Sequence, residues 1–553
     1  MTATSASSPE LEQAATPAPA PATTPAPTHD VVIVGGGHNG LTAAAYLARA
    51  GKSVILLERL ESVGGAAVSA QAFTGVDAWL SRYSYLVSLL PQRIVDDLGL
   101  RIRLARRRYS SYTPVPCDES GAALLIDNTD ADATSSSFAR IGAADDARAF
   151  RDFYETTGAL AQSLWPTVTE PLLTRSEAKA LVGDDELWAS IFERPIGELI
   201  ESRISNDLVR GVVATDALIG TFASVSDASL AQNRCFLYHV IGQGTGQWDV
   251  PVGGMGTVTG ELARAAREAG ARIVTDAEVT SISPEGVVGY DRHGHDRRVV
   301  GRHVLVNVAP DVLDQLLVGQ GDGETPSDAT PSRPRAEGAQ VKVNLLLERL
   351  PRLRDEAVDP AAAFGGTFHI NETYTQLEDA FAGAVRGVMP DLIPCEIYCH
   401  SLTDPSILDP ELAASGAQTI TVFGLHTPDR WLTDDNNDAT RQRLQDAVIA
   451  SLNSVLAEPI ESLLLTDADG NPCIETKTTR DIEHALNMPG GNIFHGPLSW
   501  PFAEDDDPLD TPAQRWGVAT EHPRILMCGS GARRGGAVSG LGGHNAAMAV
   551  LEG

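Results

Sequence analysis

The stretch DVVIVGGGHNGLTAAAYLARAGKSVILLERLESVGGA, residues 30–66, decides the fold, because it predicts a strand, a glycine turn, a helix and a second strand in succession. The β-branched run before the first glycine is typical of a parallel strand buried on both faces. Gly35, Gly37 and Gly40 stand in G-x-G-x-x-G spacing, which allows a tight turn, a close approach of backbone to a pyrophosphate, and close packing of helix on strand. The helix expected from Leu41 directs its N-terminal amides at that anion. A nucleotide-binding βαβ unit is therefore predicted.

Two features beyond this unit favour FAD over NAD as the dinucleotide. Glu58 ends the second strand, at the position where a carboxylate accepts the hydroxyls of an adenosine ribose. A second glycine turn follows directly and contains Arg59, Gly64, Gly65 and Ala66. In FAD enzymes such a turn wraps the cofactor a second time, whereas a plain NAD domain has no need of it. The sequence therefore predicts FAD as the cofactor.

The length, the net charge and the hydropathy of the chain exclude several classes of protein. At 553 residues the chain is too long for one hydrophobic core, which suggests two lobes. The formal net charge of -31 argues against binding to nucleic acids or to anionic membrane surfaces, because phosphate contacts need clustered Lys and Arg. No run approaches the ~20 apolar residues of a transmembrane helix, so no integral membrane segment is expected.

The cysteines and the N-terminal segment indicate a cytoplasmic protein. Six cysteines are scattered without a C-x-x-C pair, as expected of reduced thiols, although their even number also permits a disulfide. No metal site is predicted from them. Residues 1–29 consist mainly of Ala, Pro, Thr and Ser, so a disordered tail is expected. They lack the basic start and apolar core of a secretory signal and the arginines of a mitochondrial presequence.

Two basic features in the middle of the chain leave alternatives open. A cluster of arginines either pairs with the protein's own carboxylates at the surface, which we favour, or receives an acidic substrate; it contains Arg101, Arg103, Arg106, Arg107 and Arg108. Separately, the strand expected over 341–347 places Lys342 and Asn344 on one face. That face either points to solvent or brings Lys342 to the flavin or to a bridging water.

The C-terminal third carries a second set of glycine motifs. Residues 488–496, MPGGNIFHG, include His495 and are too rich in glycine for a helix interior. Residues 525–543 then predict a strand, a glycine loop and a helix starting near His544. Arg534 stands where the third glycine of a G-x-G-x-x-G motif would be, so a second nicotinamide-binding unit is not supported.

Taken together, these motifs resemble a known family. Besides the two N-terminal turns, they include VPVGGMG at 250–256, MPGGNIFH at 488–495 and CGSGARRGGAVSG at 528–540. The chain resembles the phytoene desaturase-like flavoproteins, and among them the branch of the pyridine nucleotide-disulfide oxidoreductase domain-containing protein 2 and the desaturase-like carotenoid ketolases. The match runs in order over most of the chain after the tail. The motifs most specific to this family are GGNIFH and the pair of His38 and Asn39 inside the first glycine turn.

The resemblance implies an α/β fold with a discontinuous, Rossmann-like FAD-binding domain of the amine oxidase and phytoene desaturase type. A mixed-sheet substrate domain and a helical cap would complete it. The FAD-binding domain would comprise residues 30–75, 235–310 and 484–553, and the substrate-binding domain residues 76–234 and 311–483. A closed apolar tunnel would lead to the isoalloxazine ring.

The resemblance also implies further cofactor contacts. His38 and Asn39 would lie with the glycines at the pyrophosphate, and the backbone amide of Val279 would meet the adenine. The ribityl chain and the pyrimidine edge would be lined by residues whose amides stabilise negative charge on the reduced ring, namely Gly529, Gly536, Val538 and Ser539. The name of the branch suggests disulfide reduction, but the chain has no redox cysteine pair and no second nucleotide motif, so we reject that reaction.

These features predict an FAD-dependent oxidoreductase, an oxidase or dehydrogenase that passes a hydride from a C–H bond of an apolar or amine-bearing small molecule to flavin N5. Either O2 or a quinone would reoxidise the flavin. His495 and Lys342 are the candidate acid/base or flavin-contacting residues. Two alternatives stay open: a carotenoid desaturase or ketolase acting at a membrane, and a flavin-binding interaction or regulatory protein without turnover. A homo-oligomer is compatible with the sequence.

Overall fold

The predicted βαβ unit forms the centre of the first sheet. The structure is a computed structural model that describes residues 26–116, 121–318 and 336–553. The unit consists of three elements, β1 (Thr28–Val34), α1 (His38–Arg49) and β2 (Val54–Leu57). Strand, helix and strand follow one another in the order that the glycine spacing predicts.

Two boundaries of this unit differ from the prediction. β1 begins at Thr28, inside the expected tail of residues 1–29, and residues 1–25 lie outside the described part of the chain. α1 begins at His38 instead of Leu41, because Gly37 already serves as its N-cap in an extended conformation. The second half of the glycine motif is therefore the first turn of the helix itself.

The first sheet joins distant segments of the chain. Its other strands are β9 (Arg272–Val274), β10 (Glu278–Ile282), β11 (Val287–Asp291), β12 (Asp296–Val306) and β18 (Ile525–Met527). The strand order is β10-β11-β12-β1-β2-β9, and β18 pairs with β12. β1 pairs in parallel with β2 and β12, and β12 pairs in parallel with β18. Because the carboxyl ends of parallel strands meet at one edge, Gly35, Glu58, Asn307 and Cys528 come together there.

Two helices pack beside α1 on this sheet, α10 (Met255–Glu268) and α19 (Leu541–Glu552). α19 begins three residues before His544, the expected start, because Gly540 in the left-handed conformation is its N-cap. The C-terminal glycine loop therefore ends earlier than the sequence suggests.

The second sheet is mixed, as expected. Its strands are β6 (Tyr109–Pro114), β7 (Ala123–Asp127), β13 (Gln340–Leu347), β14 (Thr367–Ile370), β15 (Cys395–Tyr398), β16 (Gln418–Leu425) and β17 (Ile474–Lys477). They lie in the order β17-β13-β16-β15-β14-β6-β7. β14 and β6 are parallel, and the other neighbours are antiparallel.

The two faces of the second sheet differ in character, because successive side chains point to opposite sides of a strand. One face is apolar and packs with α16 (Asn437–Asn453) in one hydrophobic core. The other face, called the polar face below, is also buried and carries Lys342, Asn344, Thr367, His369, Glu396, Tyr398 and Thr421. The interpretation that Lys342 and Asn344 point to solvent is therefore wrong.

A helical cap covers the polar face. Its helices are α3 (Ala131–Arg140), α4 (Asp146–Leu164), α5 (Arg175–Val182), α6 (Asp185–Phe192), α7 (Ile196–Arg203), α8 (Asp207–Thr215) and α9 (Ala231–Ile241). The cap touches the sheet directly, since the hydroxyl of Thr215 at the end of α8 donates a 2.8 Å hydrogen bond to Glu396 Oε1 on β15.

Short elements complete the architecture. Two small ribbons pair β3 (Ser69–Gln71) with β4 (Trp79–Ser81) and β5 (Leu104–Ala105) with β8 (Val250–Pro251). The remaining helices are α2 (Gln92–Leu98), α11 (Pro310–Val318), α12 (Pro360–Ala363), α13 (Tyr374–Val385), α14 (His400–Thr403), α15 (Pro410–Ala414), α17 (Thr479–Leu486) and α18 (Pro512–Arg515). Among the described residues, none of the helices has the length and apolar character needed to cross a bilayer.

Candidate functional site

A cavity of roughly 890 Å³ lies between the carboxyl edge of the first sheet and the polar face of the second. One end of its wall is formed by the glycine turns and Glu58, and the other end by Lys342, His369, Glu396 and Tyr398. Residues of the C-terminal motifs and of α9 line the stretch between them, including Tyr238, His495 and Val538. The predicted cofactor turns and the predicted substrate sheet therefore share one cavity.

The first glycine turn has no room for side chains at Gly35 and Gly40. Gly35 has a φ of +95°, and a Cβ there would lie 2.8 Å from the carbonyl oxygen of Asn307. A Cβ on Gly40 would lie 2.2 Å from the carbonyl oxygen of Gly35. The second turn is tied to the first by a 2.9 Å hydrogen bond from the Gly64 amide to the Gly36 carbonyl. Two turns joined in this way at a helix N-terminus fit a pyrophosphate.

Glu58 lies where a ribose-binding carboxylate is expected. It is buried at the end of β2 and lines the cavity. Its Oε2 accepts a 2.6 Å hydrogen bond from the Gly36 amide, and its Oε1 accepts one of 2.8 Å from the Leu60 amide. These bonds fix the carboxylate beside the glycine turn, as the FAD interpretation requires.

Two buried histidines face each other where the C-terminal motif meets the glycine turn. His38 Nε2 and His495 Nδ1 have no hydrogen-bond partner in the described chain, and both residues line the cavity. Burial lowers the pKa of each imidazole to about 4, so both are neutral near pH 7. Asn492 holds the His495 segment, since its Oδ1 accepts hydrogen bonds from the amides of Phe494 (2.9 Å) and Gly496 (3.2 Å). Neutral rings with unpaired nitrogens fit contact with the polar groups of a flavin.

The other residues predicted to contact FAD fall into two groups, those that line the cavity and those that do not. Those that line the cavity together with the residues above are Gly37, Arg59, Gly65, Ala66, Val279 and Val538. Those that do not form its wall are Asn39, Gly40, Gly64, Gly529, Gly536 and Ser539. Ser539 uses its hydroxyl within the chain, because Oγ donates to the Gly536 carbonyl (3.0 Å) and accepts from the Leu541 amide (3.2 Å). The individual contacts to FAD stay predictions.

Lys342 lies on the cavity wall in the middle of the polar face. Its Nζ donates a 3.1 Å hydrogen bond to the Ser81 carbonyl and sits 4.7 Å from the ring centre of Tyr85. Burial holds the pKa of this amine well below its ordinary value, even though the charge of Glu475 opposes the shift. Lys342 and His495, the two predicted acid/base candidates, therefore line the same cavity, and their catalytic roles stay predictions.

Sequence reasoning missed an acidic cluster at the end of the cavity remote from the glycine turns. Glu396 on β15 and Asp216 after α8 line the wall. Glu396 accepts hydrogen bonds from the hydroxyls of Thr215 and Tyr398. Asp216 accepts a 2.9 Å hydrogen bond from the Tyr154 hydroxyl on α4. Glu372 lies behind this wall and contacts His369.

Burial raises the pKa of each carboxyl group in this cluster. The values rise to about 6 for Asp216, about 7 for Glu396 and about 8 for Glu372. The charges of the neighbouring carboxylates add to the effect of burial on Glu396 and Glu372. Near pH 7 Glu372 is therefore mostly protonated, Glu396 is half protonated and Asp216 is mostly ionised, and an approaching cation favours the ionised form of all three.

Arg107 departs from the surface patch predicted for the arginine cluster. Arg108 does pair with Asp127 at 2.8 Å, as predicted. Arg107 instead enters the cavity wall, where it donates hydrogen bonds to the Trp248 carbonyl (3.2 Å) and the Thr367 hydroxyl (3.1 Å). Its guanidinium lies 5.9 Å from the ring centre of Tyr398, and burial lowers its pKa. For this residue the interpretation as a surface ion pair is wrong.

A sequence signal for the acidic cluster does exist. The strands TFHI (367–370) and CEIY (395–398) alternate between apolar and polar residues, which places His369 and Glu396 on one face. Polar residues that alternate on strands with large apolar neighbours indicate either a solvent face or a lined site. The helical cap covers this face in the structure, so the second interpretation, a lined site, applies.

Comparison with known proteins agrees with the geometry. Residues 30–135 match a family model described as FAD dependent oxidoreductase. An uncharacterized protein of Mycobacterium tuberculosis is 58% identical over 531 residues, which cover 94% of this chain and 97% of that protein. The mouse pyridine nucleotide-disulfide oxidoreductase domain-containing protein 2 is 29% identical over 584 residues, covering 95% of this chain and 94% of that protein.

Solved structures show the same fold. A redesigned putrescine oxidase superposes with a TM-score of 0.55 at 16% identity, covering 96% of this chain and 100% of that chain. The predicted α/β fold with an FAD-binding domain of the amine oxidase type is thereby confirmed, as are the resemblance inferred from the motifs and FAD as the cofactor. The chain is an FAD-dependent oxidoreductase by the match of its N-terminal domain, belongs to one family with its 58% identical mycobacterial relative, and is similar to pyridine nucleotide-disulfide oxidoreductase domain-containing protein 2.

Proposed function

We propose that this FAD-dependent oxidoreductase oxidises a small molecule that carries an amine, by removing a hydride from a C–H bond beside the nitrogen. The sequence left an apolar and an amine-bearing substrate open. The observation that favours the amine is the acidic cluster, because Glu396 and Asp216 line the cavity that begins at the glycine turns. FAD supplies the hydride acceptor when it is bound.

The energetics of the acidic cluster support a cationic substrate group. A carboxylate that is buried without a cationic partner is costly, which is why Glu396 and Asp216 have raised pKa values. An ammonium group entering the cavity would offset that cost by pairing with them. The hydroxyls of Thr215, Tyr398 and Tyr154 hold both carboxyl groups in position for such a pair.

The remaining cavity wall suits the chemistry at the reacting carbon. Tyr238, Ile219, Phe423 and Ile493 give the wall apolar or aromatic surface, which excludes water from the reaction. Lys342 and His495 are proposed to contact the flavin or to move protons there. Either O2 or a quinone is proposed as the electron acceptor.

A long hydrocarbon substrate, as in a carotenoid desaturase or ketolase, fits this wall less well. It would place apolar carbon beside Glu396 and Asp216 and would itself supply no cation to pair with them. A flavin-binding protein without turnover would need no acidic cluster facing its cavity. Both alternatives are separated from the amine proposal by the experiment that follows.

The test is anaerobic reduction of the bound flavin. Purified protein with FAD is mixed with primary amines, including putrescine and cyclohexylamine, and in parallel with a detergent-dispersed polyene, while flavin absorbance is followed. Bleaching by one or more amines, with H2O2 formed on readmission of O2 if the protein is an oxidase, is the expected result. Bleaching by the polyene alone would support the desaturase, and a flavin that no substrate reduces would support the interaction protein.

A further inference from the structure

His369 and Glu372 form a buried hydrogen-bonded pair at the end of β14, called the dyad below. His369 Nδ1 lies 2.6 Å from Glu372 Oε2. Asn371 between them has a φ of +58°, and this turn brings Glu372 back to the ring three residues earlier. Glu372 Oε1 has no hydrogen-bond partner in the described chain, whereas Oε2 contacts His369.

The surrounding elements fix the dyad in place. A Cβ on Gly211 in α8 would lie 1.8 Å from the carbonyl oxygen of Glu372, so the helix backbone rests directly on the turn. α13 starts immediately after the turn, with a capping box between Thr373 and Gln376. Both constraints hold the dyad rigidly, as transfer of a proton to a bound molecule requires.

Only one member of the dyad faces the cavity. His369 lines the wall, whereas Glu372 lies behind it. Since Nδ1 is engaged by Glu372, Nε2 is the ring nitrogen left for a molecule in the cavity. An imidazole oriented by a carboxylate through one nitrogen, with the other presented to a reactant, is the arrangement of a general base.

α9 connects the surroundings of the dyad with the predicted flavin loop. The Tyr238 ring is 3.0 Å from the point where a Cβ on Gly536 would lie, so this residue marks the predicted flavin loop. Cys235 lies about one helical turn earlier on α9, and its pKa is raised by burial, to which the charges of Asp216 and Glu396 add. The same helix therefore faces both the flavin loop and the acidic cluster.

We propose that His369 is the base that removes a proton from the substrate ammonium group, and that Glu372 is the residue that positions it. The inference rests on the proposed amine substrate. With Glu372 ionised, His369 Nδ1–H donates to it and Nε2 carries the lone pair: the ammonium N–H bond breaks, an Nε2–H bond forms on His369, and the charge of Glu372 stabilises the resulting imidazolium. The amine leaves this step neutral, with a lone pair that assists loss of a hydride from the adjacent carbon.

Titration of the dyad suits this role. Burial raises the pKa of Glu372 to about 8 and lowers that of His369. Because their side chains are in hydrogen-bond contact, the two groups titrate as a pair. The other charged groups that face His369 are Glu396 on β15, Asp216 after α8 and Arg107 after β5. The basic form of the dyad accumulates as the pH rises towards 8.

The test compares the rate of anaerobic flavin reduction by an amine, at saturating concentration and from pH 6 to 9, in variants of the dyad. In the natural protein the rate is expected to rise with pH. His369→Gln should lower it on the order of 10²-fold and remove the rise. Glu372→Gln should shift the profile to lower pH, because loss of the carboxylate charge lowers the proton affinity of the ring.

A matched control keeps a folding defect distinguishable from loss of the base. His426→Gln removes an equally buried histidine that follows β16 and packs against Phe222 and Phe381. It should leave both the rate and the pH profile unchanged. Flavin content must be equal in all four proteins.

Three outcomes would overturn the proposal. If an amine reduces His369→Gln as fast as the natural protein with the same pH profile, the proposed function stands and His369 is not the base. If no amine reduces the natural protein, the proposed function itself fails, and the dyad proposal with it. Because His369, Glu372 and Glu396 offer ligand atoms within 4.8 Å of one another, a stoichiometric divalent metal found in the purified protein would show that they hold a cation instead.

Discussion

Replacing Glu396 by Gln is expected to make the protein more stable at alkaline pH. The substitution keeps the shape of the side chain, and its amide oxygen can still accept the hydrogen bond from Thr215 that Oε1 accepts now. It removes a carboxyl group whose pKa burial raises from 4.5 to about 7. The change therefore deletes one ionisation, and it replaces the oxygen that accepts the Tyr398 hydroxyl by an amide NH2 group, for which that hydroxyl can turn to act as acceptor.

The expected size follows from linkage between protonation and folding. In the folded protein Glu396 stays protonated up to about pH 7, whereas in the unfolded chain it ionises above its ordinary value of 4.5. The folded state binds the extra proton in this window, so stability falls as the pH rises through it and the loss is complete above pH 7. Since each pH unit of the window is worth about 1.36 kcal/mol, the natural protein loses about 3 kcal/mol that the Gln variant keeps.

The assay is thermal unfolding of the FAD-loaded proteins from pH 5 to 9. The Tm of Glu396→Gln should match that of the natural protein near pH 5 and exceed it by several degrees at pH 8. Glu458→Gln is a control of opposite sign, because Arg349 and Arg352 hold the pKa of Glu458 below its ordinary value. That control should lose a smaller and constant amount of stability throughout this range, on the order of 1 kcal/mol, because Arg349 and Arg352 are exposed and Glu458 titrates below that range.

The reasoning is refuted if the Tm difference between Glu396→Gln and the natural protein is the same at pH 5 and pH 8. It is also refuted if the variant becomes the less stable protein as the pH rises. If the proposed function holds, the same variant should bind amines more weakly, so that stability and substrate affinity change in opposite directions.

Two further predictions concern the cofactor and the acid/base candidates. Gly40→Ala should abolish FAD binding, because its Cβ would lie 2.2 Å from the Gly35 carbonyl oxygen, and the purified variant should be colourless. The control Gly260→Ala, on α10, should stay yellow, because no atom lies within 4 Å of the new methyl group. Retention of FAD by Gly40→Ala would show that the turn can relax. Lys342→Ala and His495→Ala should each keep bound flavin yet lose flavin reduction by substrate, measured by stopped-flow absorbance; unchanged reduction in either variant would dispose of that residue's catalytic role.

The nucleotide half of the molecule could be predicted because its rules are local. Gly35, Gly37 and Gly40 mark the turn through a spacing that spans six residues, and Glu58 follows from the length of one βαβ unit. Even the errors there are local: Gly37 and Gly540 act as N-caps, so α1 and α19 begin earlier than their apolar runs suggest.

The acidic cluster could not be predicted because its members are distant in sequence. Asp216, His369 and Glu396 come from a cap helix end and two strands, and each has apolar neighbours typical of a core. The same holds for Lys342, whose strand is buried on both faces, so alternation of polar and apolar residues no longer marks a solvent side. Arg107 belongs to a basic run that is otherwise at the surface, and no local signal distinguishes it from Arg106 or Arg108.

The division of the second sheet into an apolar face and a polar face bears on how relatives of this protein could diverge. Along β13, β14, β15 and β16, the residues that pack with α16 alternate with those of the polar face, and part of that face lines the cavity, namely Lys342, Thr367, His369, Glu396, Tyr398 and Phe423. A substitution at a lining position changes what the cavity accepts without creating a void in the core next to α16, because the side chain points away from it. New substrate preferences are therefore accessible through single substitutions at these lining positions, while the intervening residues keep the sheet intact.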